Sequence, residues 1–259
     1  MLIISPKQLL LPSLLLLSVA SLCQSPQEAA PKTQTPEEYL HSLSGQKLLM
    51  LHFGDADHSK VKKSDLHKVK ISCDLAVQIQ AVRYKDQEVT FDWVQIGTPQ
   101  AEKNFPRNCR DRVSHDRGTL TITQLAPDET AASLAESVSK VLQTPEQYLA
   151  TKGVPFNLPP KTDGQKLVSG TLIPPRALLM IDGAFSQQAL RSKYAGAVTI
   201  SFTVGTDGLA HQPKITRPLG MGLDEQALAV LPLWRFQPGS KDGKPVAASL
   251  NVEMEFSLY

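Results

Sequence analysis

Histidine and carboxylate crowd together at residues 52–58, "HFGDADH", where His52, Asp55, Asp57 and His58 supply four metal-type ligands within seven positions. Such a cluster could hold a divalent cation and activate a water. The spacing argues otherwise, because a helical zinc site needs histidines at i and i+4, and a calcium loop needs acids at alternate positions closed by a later glutamate. A solvated loop is the expectation. Ser114-His115-Asp116 places the three residue types of a nucleophilic triad side by side. Triads are assembled in space from distant positions, and chain neighbours point apart. The remaining histidines, His41, His67 and His211, stand alone. No GxSxG, no phosphate-cradling glycine loop and no paired cysteine–histidine signature occurs, so neither enzyme chemistry nor a metal or other cofactor is expected.

The bulk properties point the same way. Lys+Arg total 27 and Asp+Glu 25, for a net charge of +2, which gives no electrostatic footprint for nucleic acid or an anionic membrane. A length of 259 residues with 41% hydrophobic content supports two modest cores. Residues 1–23 carry Lys7 and then an uncharged run from Leu9 to Leu22 broken by Pro12, the pattern of a secretory signal peptide. Ser21 and Cys23 fit a cleavage site, while an uncleaved anchor and a lipid on Cys23 are the competing readings. Export to the periplasm or beyond permits disulfides. Cys73 and Cys109 then form a candidate pair, closing a loop of about 35 residues worth roughly 3 kcal/mol. Two separate buried thiols are the alternative.

These residues must be positioned by elements legible from their periodicity. Residues 24–35 form a polar leader, followed by a β-rich block at 36–152 with flanking helices. "TPEEYL" and "TPEQYL" each start a helix with a threonine cap and a proline in the first turn. "QKLLMLHF", "VKISCDLAVQIQA" and "GTLTITQL" read as strands, and Val89, Phe91 and Trp93 resume the alternation after the turn "YKDQ". Cys73 is expected to face inward. A helix capped by Asp128 should bury Leu134, Val138, Val141 and Leu142. Residues 153–174, rich in proline and glycine, form the expected boundary.

Residues 175–259 read as helix, strand, strand, helix, strand. Ser186 caps a short helix with Ala189, Leu190 and Tyr194 on one face and Gly196 as its stop. Two strands flank Asp207-Gly208, a hairpin signal. Leu223, Ala227, Leu228 and Leu231 form a helical stripe ended by Pro232. A final strand alternates Leu250, Val252, Met254, Phe256 and Leu258. The fold class is therefore α+β, with a second domain made of a three-stranded antiparallel sheet and two helices.

"AGAVTISFTVGTDG", "LGMGLDEQALAVLPLWRFQPG" and "KDGKPVAASLNVEMEFSLY" together resemble the C-terminal domain of the TonB family, the periplasmic end of an energy transducer that engages outer-membrane transporters. The motif residues are Gly196, Asp207, Gly208, Leu223, Asp224, Trp234, Phe236, Pro238 and Phe256, and they cover about a third of the chain. The resemblance implies that a short extended segment of a partner protein pairs beside the terminal strand, along an edge that includes Val246, Ser249, Asn251, Glu253 and Glu255. Trp234 and Phe236 would pack beneath the sheet. The preceding block is similar to those beside such domains in soil acidobacteria. Three features depart from the family: Phe185-Ser186 where Tyr-Pro is usual, Pro232 in place of a polar helical residue, and neither a permanent inner-membrane helix nor a long stiff spacer, so the resemblance carries over the binding mode, with a role in TonB-dependent transport, while coupling to a motor does not follow from it. The alternative is a structural envelope protein that homodimerises through its terminal strand.

Overall fold

The computed structural model describes residues 34–53, 73–85, 87–100, 117–123, 130–156 and 172–258, with backbone alone at 52, 53 and 73. The signal segment, the 52–58 cluster, Ser114-His115-Asp116 and the Cys73–Cys109 pairing lie outside the described residues or side chains. From Gln34 onward the described chain packs as one compact unit. Among the described residues no helix is long and apolar enough to cross a membrane.

The first block is a sheet with two helices on one face and a third on the other. Helix α1 (Pro36–Ser42) begins with a capping box in which Thr35 and Glu38 exchange backbone and side-chain hydrogen bonds. Strands β1 (Lys47–Phe53), β2 (Cys73–Lys85), β3 (Glu88–Pro99) and β4 (Arg117–Ile122) pair antiparallel in sequence order. The alternation read from the sequence places Leu75, Val77, Ile79, Val89, Phe91 and Trp93 in one core with Leu40 of α1 and its C-cap residue Leu43. Helix α2 (Ala131–Ser139) adds Leu134 and Val138. Its cap is Thr130, paired reciprocally with Ser133, and not Asp128. Leu142 leaves the helix for β5 (Leu142–Gln143), where it pairs with Met50. Helix α3 (Pro145–Thr151), capped by Thr144 and Gln147, buries Tyr148 and Leu149 on the opposite face of the sheet.

That opposite face is where the second block docks. Leu49, Ala76 and Ile96 turn toward it and share a core with Ile181, Val230, Trp234 and Phe236, so a core spans the expected boundary. The segment from 172 supplies three short strands, β6 (Leu172–Ile173), β7 (Arg176–Leu179) and β8 (Ile181–Gly183). Strand β8 pairs with β3 through Gly97↔Gly183, Thr98↔Asp182 and Pro99↔Ile181, on the same side of β3 that carries β4 further along. A Cβ on Gly97 would lie 2.2 Å from the Asp182 carbonyl oxygen and 2.9 Å from Val230 Cγ1. Only glycine lets β8 approach this closely. Gly97→Ala should therefore push β8 off β3 and cost about 1–3 kcal/mol as an overpacked contact, read as a lower urea midpoint with faster amide exchange at 181–183. An unchanged midpoint would contradict the close approach.

Helix α4 (Gln187–Arg191) begins at Ser186, whose Oγ accepts from the Ala189 amide at 3.0 Å. Ala189 is buried, but Leu190 and Tyr194 are exposed, because five residues make little more than one turn and cannot present a long stripe. Gly196 opens β9 (Gly196–Val204) instead of stopping the helix, with Leu219 filling the space its side chain would need. Strand β10 (Ala210–Arg217) completes the hairpin. Helix α5 (Leu223–Val230) passes into a 3-10 turn at Leu231–Leu233, containing Pro232. Val230, seven residues after Leu223, returns to the buried face, while Leu228, only five residues after it, is exposed. Strands β11 (Arg235–Gln237), β12 (Gly239–Lys241) and β13 (Lys244–Val246) precede the last strand, β14 (Ala248–Phe256). Leu258 lies past its end and is exposed.

Candidate functional site

The C-terminal sheet has the order β10-β9-β14. Its central strand buries Val198, Ile200, Phe202 and Val204 against α5 and the aromatic floor. That floor is closely packed. Trp234 is fully buried, and its Nε1 donates to the Ile181 carbonyl at 3.0 Å. Its ring meets Phe202 edge-on at 5.7 Å, and Phe236 lies 5.5 Å from Phe202. Trp234 and Phe236 thus hold the platform from beneath.

Two loops fix the geometry of the sheet. In the β9–β10 turn, Asp207 Oδ1 accepts from the Leu209 amide at 3.1 Å, and the carboxylate faces His211 Nε2 at 2.8 and 3.0 Å. Slight burial would raise the Asp207 carboxyl, but the His211 contact and the Leu209 amide outweigh it and hold it below the usual carboxylate value. Gly208 adopts φ +76°, and its carbonyl accepts from the Phe236 amide at 2.9 Å. A Cβ there would sit 2.4 Å from the Phe236 carbonyl, so this glycine docks the turn directly onto β11. At the other end, Asp224 accepts from the amides of Leu219 (2.8 Å) and Gly220 (2.9 Å), while Ser186 Oγ donates to the Met221 carbonyl. The Asp224 bonds satisfy amides, and the Ser186 bond a carbonyl, that a glycine-rich entry to α5 would otherwise leave open. Pro238 separates β11 from β12.

Strand β14 pairs with β9 without interruption from Ala248↔Val204 to Phe256↔Gly196. Among the described residues, no strand pairs along its other side. Alternate residues of a strand turn their N–H and C=O groups away from the partner strand, so this edge presents a regular row of backbone donors and acceptors. Ser249, Asn251, Glu253 and Glu255 are exposed, Leu250 and Val252 half-buried, and Met254 and Phe256 buried. Phe185 covers Phe256 edge-on at 5.5 Å. Val246 lies elsewhere, in β13 opposite Gly239. It leaves the edge because Asp242-Gly243, both at positive φ, close a tight β12–β13 hairpin first.

The opposite edge, β10, is built differently. It carries Pro213, a positive-φ Gln212 and two register irregularities against β9. Proline, bulges and basic side chains are the usual means of blunting a strand edge. Of the two edges of this sheet, only β14 is regular and free of proline.

A recess lined by Gly45–Lys47, Pro145, Pro232, Leu233 and Arg235 carries two cations. Both already serve the fold. Lys47 Nζ donates to the Ala229 carbonyl at 2.6 Å, at the negative end of α5, and Arg235 is bonded to Glu146 and to two backbone carbonyls. Among the described residues, no group of three or more His, Cys, Asp or Glu side chains could hold a metal.

Residues 183–258 match the family model described as the Gram-negative bacterial TonB protein C-terminal. The match spans α4, β9, β10, α5 and β14, including every motif residue named from the sequence. It begins at Gly183 and so does not bear on the preceding block or on its likeness to acidobacterial proteins. No curated protein is significantly similar to the chain.

Proposed function

We propose, from the premise that residues 183–258 are a TonB-type C-terminal domain, that this protein is an envelope docking protein whose partner adds an extended segment along β14. The family supports a protein-interaction module. The choice of β14 rests on one observation: its uninterrupted nine-residue register with β9 and an outer side along which no strand pairs among the described residues. Strand addition draws affinity from main-chain hydrogen bonds and selectivity from alternate side chains, and both are presented here. The working site is the periplasm, reached through the N-terminal signal segment, and the role is binding rather than catalysis. Cys73 and Cys109 would tether the first block by a disulfide.

A proline scan across residues 249–255 tests the reading, because proline deletes one backbone donor at a time. At alternate positions the lost N–H faces β9, and those variants should unfold. At the intervening positions it faces outward. Those variants should keep the parent circular dichroism spectrum and lose partner capture from envelope extract. If the folded set captures the same partners as the parent, strand addition at β14 is wrong.

A further inference from the structure

The register assigns a row of side chains to each position across the sheet. On the face away from the core, His211, Thr203 and Ser249 form one row, Lys214, Ser201 and Asn251 the next, and Arg217, Thr199 and Glu253 the third. Glu255 stands opposite Ala197, beyond the last residue of β10. The exposed face is therefore polarised toward one end, with Lys214 and Arg217 on β10, hydroxyls on β9, and Glu253 and Glu255 on the free edge. Neighbouring strands lie about 4.8 Å apart, so the β10 cations sit two strand spacings from β14. Arg217 reaches Glu253 only at 4.0 Å, with both side chains more than half exposed, which contributes little. Among the described residues, no cation shares the row of Glu255.

The other face imposes the complementary demand. Leu250 and Val252 point toward the core but are only half-buried, unlike Met254 and Phe256 further along the strand. A visiting strand with apolar residues at alternate positions would finish their burial. Its intervening residues would fall in the rows of Asn251, Glu253 and Glu255.

Resting on strand addition at β14, we propose that the partner segment is basic: an extended stretch that alternates β-branched or other apolar residues with polar ones, and sets lysine or arginine opposite Glu253 and Glu255. A second copy of β14 is a poorer occupant, because antiparallel registers that bring the C-terminal halves together place glutamates side by side, an unfavourable cross-strand pair.

The test uses the full chain and two capped peptides of the length of β14, one alternating valine with lysine and the other valine with glutamate. Binding is followed by amide chemical shifts and exchange protection at residues 248–256. The lysine peptide should protect these amides and bind about tenfold more tightly than the glutamate peptide, as expected for two opposite-charge cross-strand pairs replacing two like-charge ones. The preference should shrink with added salt and reverse in the Glu253→Lys, Glu255→Lys variant, whose exposed substitutions leave the core untouched. Equal binding of both peptides with β14 protected would overturn the basic-partner inference while leaving strand addition standing. Loss of protection with both peptides would overturn strand addition itself. Concentration-dependent protection without peptide would show the edge taken by a second copy and overturn both.

Discussion

Trp234→Ala should destabilise the protein by about 4–6 kcal/mol, the cost of a large core cavity plus one orphaned buried acceptor. The indole is completely buried, and its edge-on contacts to Phe202 and Phe236 link the floor of the C-terminal sheet to β9. Its Nε1 donates to Ile181 in β8, whose other side is hydrogen-bonded to β3 of the first block. Removing the ring therefore opens a cavity and frees a carbonyl at the junction of the two blocks. Trp234→Phe separates these effects, since it keeps most of the volume and loses only the hydrogen bond, for about 1–3 kcal/mol. Urea unfolding of the parent and both variants measures the ordering. An alanine variant within 1 kcal/mol of the parent would refute the account.

What could be read in advance was local in sequence. The alternation of Val198, Ile200, Phe202 and Val204 set the inward face of β9, and Asp207-Gly208 marked its hairpin. The helix starts at Thr35 and Thr144 followed from their caps. The Asp128 cap failed because Thr130, two residues on, has the reciprocal partner Ser133. Leu228 falls outside the buried stripe because the helical turn from Leu223 and Ala227 carries through to Val230. The resemblance carries the edge back to Val246, whereas the Asp242-Gly243 turn commits that residue to β13. The strands between 172 and 183 were not foreseen at all. Their partners lie far away in sequence, as when Gly183 meets Gly97, and no short-range period encodes such a pairing. The edge is legible as a strand from its alternation, but its free side only through the family resemblance, because a free side depends on where every other strand goes.

The same distance effect hides Arg235, which no local pattern marks between Trp234 and Phe236. Its side chain is about nine-tenths buried, donates from Nε to Glu146 of α3 and from NH1 to the carbonyls of Pro232 and Trp234 at 2.8 Å, and lies over the Phe156 ring. A buried guanidinium without an anion is costly, commonly about 3–5 kcal/mol when its partner is removed. Glu146 is 44% exposed, so water would offset part of that loss, and Glu146→Gln should cost about 2–3 kcal/mol at neutral pH. The pH dependence follows from the carboxyl's own balance. Partial burial pushes the Glu146 carboxyl up, but the Arg235 hydrogen bond and charge outweigh it and hold it below its ordinary value. A carboxyl depressed in the folded state stabilises fully above its unfolded value, near 4.3 for glutamate, and loses that contribution as the pH falls through the lower folded value. The gap in urea midpoint between parent and Glu146→Gln should therefore be widest near pH 7 and close below about pH 4. A gap that persists unchanged into acid would mean the contact acts through shape alone. Because this ion pair joins α3 to the strand that follows Trp234, its loss should also quicken amide exchange in β11, carrying a change in the first block into the floor beneath the docking sheet.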